Sequence, residues 1–132
     1  MNGKLSYEES LSYRDADHRT DWAPPALLLE VASGDDDLLR EVVGDFERDT
    51  ESRLEVTRRA LAGGDTARLK AEAHAIKGSS RQVGAEAMGN TCQQIESSAL
   101  QASPYELADR LTQLEAEFQE VCAAMKVYFN NQ

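Results

Sequence analysis

The chain has 132 residues, the length of one domain, and its 41% hydrophobic content suffices for a single core. Asp and Glu number 24 against 14 Lys and Arg, a formal charge of −10. That sign argues against general nucleic-acid binding, which needs a basic footprint, and against docking on an anionic membrane.

Residues 1–22 read as a flexible leader. Met1 to Ser10 lacks the charged-then-apolar order of a signal peptide, and no run of 18 apolar residues follows anywhere to span a bilayer. The expectation is a cytoplasmic protein. Leu5-Ser6-Tyr7 and Leu11-Ser12-Tyr13 form a faint repeat that suits a mobile tail or a short extra helix docked on the domain or a partner. Strand signals are missing from Pro25 onward, and helical periodicity fills the space.

A short apolar helix, Ala26 to Ala32, follows the prolines and is broken at Ser33-Gly34-Asp35. The second helix runs from about Asp36 to Ala62, with Leu39, Val43, Phe46, Thr50, Leu54, Thr57 and Leu61 stepping by three or four. Gly63-Gly64 ends it and Asp65 caps the third. Gly84 ends the third. A fourth runs from about Ala85 to Ala99, with Met88, Cys92, Ile95 and Ala99 on one face. Ser103-Pro104-Tyr105-Glu106 is a capping box with proline at the first helical position. It opens a last long helix striped by Leu107, Leu111, Leu114, Phe118, Cys122, Met125 and Phe129. Short connections predict an all-α fold, an antiparallel up-down four-helix bundle over residues 23–132 with the short N-terminal helix packed on it.

Chemistry concentrates on the third helix. On a wheel of ~100° per residue, Leu69, Ile76, Ser80 and Val83 fall opposite His74 and form its buried stripe. Lys70, Lys77, Gly78 and Arg81 fall on the His74 face. Glu72 lands on the core side and breaks the pattern. Residues 65–82 carry four cations against two acids, net +2 on an acidic chain. A cationic stripe around one exposed histidine suits a group that acquires negative charge, and a phosphoryl group fits. Glycine inside a helix costs ~1 kcal/mol against alanine. Placed one turn after His74, Gly78 clears space for a bulky partner. With an ordinary pKa near ~6.5, a histidine is largely neutral and nucleophilic at pH 7. The sequence places no carboxylate to orient the ring.

His74-Ala75-Ile76-Lys77-Gly78-Ser79-Ser80, with Gly84-Ala85 following, closely resembles the H-x-x-K-G-S-S-x-x-x-G-A motif of histidine-containing phosphotransfer (HPt) domains. The resemblance extends over roughly residues 24–129. It implies a phosphorelay intermediate that accepts a phosphoryl group from a receiver-domain aspartyl-phosphate and passes it to another receiver. On that match His74 is the phosphoacceptor, Lys77 stabilises the phosphoryl group and Gly78 admits the receiver. Lys70 and Arg81 are supporting cations, Arg81 at a position variable in the family. The family often adds a glutamine beside the histidine from the following helix. Gln93 is assigned that role, with Gln94 its rival. Ala71 and Ala75 offer apolar surface to the partner. The partners implied are response-regulator receiver domains and a hybrid sensor histidine kinase. No cofactor is implied for this chain, any magnesium belonging to the receiver. A monomer is expected.

Other classes fail on residues. No glycine-rich nucleotide segment is present, so the phosphocarrier that the resemblance implies is expected to have no kinase activity of its own. A di-iron bundle needs Glu-x-x-His pairs, but position 71 is alanine and the other histidine, His18, lies in the leader. Cys92 and Cys122 show no disulfide framework or metal spacing, and both sit on apolar stripes, which argues against a hydrolase nucleophile. The remaining alternative is a non-catalytic adaptor that binds and sequesters receiver or kinase domains.

Overall fold

The computed structural model describes residues 21–131 and places five helices in them: α1 (Ala26–Ala32), α2 (Asp36–Ala62), α3 (Thr66–Gln82), α4 (Glu86–Ser98) and α5 (Pro104–Asn130). Among the described residues there is no strand. The leader reading and His18 fall almost wholly outside them.

Three of the four long helices begin where a side chain satisfies free amides, and α4, preceded by Ala85, begins without one. Asp35 accepts from the Asp37 and Leu38 amides at 3.0 and 3.1 Å, and Asp65 accepts from the Arg68 amide at 3.1 Å. At α5, Ser103 and Glu106 cap each other's backbone reciprocally, with Pro104 at the first position. The connections after α2, α3 and α4 run only 63–65, 83–85 and 99–103.

α3 packs between α2 and α4, α5 packs against both α4 and α2, and α1 lies on α2. The four long helices thus enclose one core. Ile76, Cys92, Ile95, Leu111 and Leu114 are its fully buried centre, and the Phe46 and Phe118 rings meet edge to face, 6.1 Å between centroids. Thr57, on the buried stripe of α2, donates its hydroxyl to the Arg53 carbonyl at 2.6 Å, so burial leaves it satisfied.

Glu72 finds its explanation here. It is buried on the core side of α3, yet Arg53 of α2 reaches one carboxylate oxygen at 3.0 Å and Arg68 the other at 2.9 Å. Two guanidinium groups replace the water that burial removed. The wheel located the residue correctly; of its two partners Arg68 is one turn back on the same helix, whereas Arg53 arrives from α2 and is invisible to a wheel of α3.

The domain boundary also shifts. Trp22, assigned by sequence to the leader, belongs to the fold. Its indole Nε1 donates to the Val83 carbonyl at 2.7 Å, and its ring meets Tyr128 edge-on, 5.3 Å between centroids. A single tryptophan ahead of two prolines has no periodic neighbours to announce that it packs on the fold.

Gly84 lets this corner close. Its φ of +80° favours glycine, and a Cβ there would stand 2.8 Å from Pro25 Cγ. Replacing Gly84 by Ala is therefore expected to cost about 2–3 kcal/mol, from left-handed strain and displacement of Pro25. Urea denaturation measures it, and an unchanged midpoint would refute the account.

Candidate functional site

His74 lies in the middle of α3, its side chain 69% exposed, and its Nδ1 stands 2.8 Å from Glu96 Oε2 of α4. The second oxygen of that carboxylate pairs with Lys77 Nζ at 2.7 Å, and Lys77 also donates to Gln93 Oε1 at 3.0 Å. His74 and Lys77 are one helical turn apart on α3, and Glu96 and Gln93 one turn apart on α4, so the four form a compact quartet across two helices.

The Glu96 carboxylate corrects the sequence reading, which found none to orient the ring. It is about five-sixths buried, its side chain being 16% exposed. Hydrogen bonding from Lys77 and then from His74 holds its carboxyl below the usual range, although burial works the other way. Glu96 is accordingly ionised at neutral pH. It accepts a hydrogen bond from Nδ1–H and so fixes the tautomer, leaving Nε2 with the lone pair.

The glutamine expectation is redistributed. The residue touching the ring is Glu96, whereas Gln93 reaches the site through Lys77. Gln93 is anchored in turn by Ser97, 3.4 Å from its amide nitrogen. Gln94 is exposed and contributes a backbone carbonyl to Ser98.

Gly78 is exposed, and a Cβ placed on it would meet no atom within 4 Å. Close helix packing therefore does not explain this glycine. Open space lies above it, beside the imidazole. Ala71 is exposed and Ala75 half-buried on the same side.

The outer cations stand apart from the quartet. Lys70 is exposed one turn before His74. Arg81 lies across Gly89 of α4, where a Cβ would come within 3.1 Å of its Cγ and Nε. Gly89 is seven residues from Glu96, about 10 Å along the helix. Neither cation is brought onto the ring. Burial meanwhile pushes the Cys92 and Cys122 thiols up to about 12, which leaves them poor nucleophiles.

Three comparisons bear on this arrangement. The family model described as Hpt domain matches residues 41–124, a span that contains the whole quartet. Among curated sequences none matches the chain. Among solved structures, the crystal structure of histidine-containing phosphotransfer protein B from Pseudomonas aeruginosa PAO1 is similar, with a TM-score of 0.72 at 26% identity. The likeness covers 83% of this chain and 96% of that one. With the family model spanning well over half its length, the chain belongs to the Hpt domain family, the phosphotransfer domains of two-component signalling.

Proposed function

We propose that this protein is a phosphorelay intermediate in which His74 accepts a phosphoryl group from a receiver aspartyl-phosphate and delivers it to another receiver aspartate. One observation carries the reading: an exposed histidine whose Nδ1 is held by a largely buried carboxylate, with open space above the neighbouring glycine. The tautomer is set before the donor arrives, so Nε2 attacks without reorganisation. Lys77, already at the site, supplies positive charge as the phosphoryl group approaches. Gly78 leaves room for the receiver's active-site loops.

A candidate docking surface lies where the end of α3 meets α1 and α2. Leu27 and Val31 of α1 are exposed beside an apolar groove that Val42, Phe46, Ser79 and Val83 also line. Exposed apolar surface beside the helix that carries the reactive residue suits a protein partner. That partner is a receiver domain, supplied by a hybrid kinase upstream and a response regulator downstream. Any magnesium is held by the receiver. The short connections support an antiparallel, up-and-down course of the four long helices. The working form is a monomer in the cytoplasm. No described helix is long and apolar enough to cross a membrane.

The test is transfer from a radiolabelled receiver to this protein. Label that is labile in acid and stable in base marks a phosphohistidine. Binding without labelling, across a panel of receivers, would instead establish the adaptor.

A further inference from the structure

The Glu96 carboxylate also acts on the phosphorylated state, a reading that rests on His74 being the phosphoacceptor. When Nε2 of a neutral imidazole attacks an aspartyl-phosphate, the Nε2–P bond forms and the P–O bond to the aspartate breaks. The electron pair leaves on the aspartate carboxylate. The ring keeps its Nδ1 proton and becomes a phosphoimidazolium cation. In the outgoing step an acceptor carboxylate forms the new O–P bond, and the Nε2–P electron pair returns to the ring. The neutral imidazole is regenerated, still carrying its Nδ1 proton. No proton enters or leaves over the cycle.

That economy holds only while Nδ1 stays protonated in between. Should the cation lose its proton, the outgoing step must expel an imidazolate, a far poorer leaving group, or wait for reprotonation. We propose that Glu96, 2.8 Å from Nδ1, keeps the phosphorylated His74 ring in its cationic, transfer-ready form across neutral pH. A carboxylate at hydrogen-bond distance favours the cation more than a neutral amide can, because the bond joins opposite charges. Glu96 is therefore a positioning residue, acting through the ring and not on the phosphoryl group.

The other charges around the ring do not supply this. Lys77 is a cation and opposes a second one, although it is itself paired with Glu96. Lys70 lies one turn away on α3, and Arg81 lies on Gly89. From α4 the remaining site residue, Gln93, is neutral. α2 reaches α3 with Arg53, which is spent on Glu72 on the opposite face.

The experiment is a pH titration of the phosphorylated ring by nitrogen-15 NMR, using full-length protein labelled in histidine and phosphorylated chemically with phosphoramidate. Only His18 and His74 contribute signals. In the wild type the phosphorylated ring is expected to lose its proton at a pH at least about one unit higher than in Glu96→Gln, a tenfold shift in that equilibrium. Outgoing transfer to a receiver domain should then be flat through neutral pH for the wild type. For Glu96→Gln it should fall about tenfold per pH unit above its midpoint. Equal midpoints would overturn the proposal and leave the relay reading intact. So would a wild-type midpoint no higher than that of free Nε2-phosphohistidine, a comparison that stands even if the variant does not fold. Failure of His74 to take up phosphoryl from phosphoramidate or from any receiver would remove the relay reading, and the proposal with it.

Discussion

His74→Gln is expected to take up no phosphoryl label while keeping its fold and its affinity for the receiver. Glutamine preserves the length and a hydrogen-bonding group but offers no nucleophilic nitrogen, so the chemical step has no acceptor. The side chain is mostly exposed and lies outside the core, which limits the stability change to about 0.5 kcal/mol. Receiver affinity, set by the surrounding surface, should be unchanged within a factor of about two or three. Phosphotransfer assays and calorimetric titration against the same receiver separate the two readouts. A variant that still accepted label would move the acceptor to another residue. If the pathway output survived the substitution, an adaptor would be the better description.

Gly78→Gln should move stability and activity in opposite directions. A Cβ at this position meets nothing within 4 Å, so the longer side chain fits the free protein. Removing a glycine from the interior of α3 should stabilise it by about 0.5–1 kcal/mol. Phosphotransfer should nonetheless fall about a hundredfold, because the side chain fills the space through which the donor phosphate approaches Nε2. Gly78→Ala should gain similar stability and lose less activity. Urea denaturation and transfer kinetics on the same samples check both halves. Full-rate transfer by the glutamine variant would show that the open space is not the route of approach.

Most of the helical layout was legible in the sequence, because its boundaries are written in local chemistry. Asp35, Asp65 and Ser103 cap helices, and glycines follow α2 and α3, so the predicted limits match the observed ones within a residue or two. The His74 face was legible for the same reason, since its residues share one helix. Relations between helices were not. Glu96 lies 22 positions from His74, and only the packing of α4 on α3 brings them together. A partial signal existed, for on the α4 wheel Glu96 flanks the Met88, Cys92 and Ile95 stripe, where a side chain turns toward a neighbouring helix. Gln93 and Gln94 both lie further from it. Arg81 failed in the other direction. The wheel put it on the histidine face, but two turns of distance and a glycine on α4 let its long side chain lie elsewhere.

Trp22 is the only tryptophan in the chain, and its indole is fastened to the last carbonyl region of the helix that bears His74. The molecule therefore carries a built-in optical label at one defined corner, where the N-terminal segment, the end of α3 and the Tyr128–Phe129 pair converge. Its emission reports whether that corner is closed, shifting to the red when the segment peels away and water reaches the ring. The phosphoacceptor sits nine residues back from Val83 along α3, about 14 Å away, so the signal reports on the corner and not on the histidine itself.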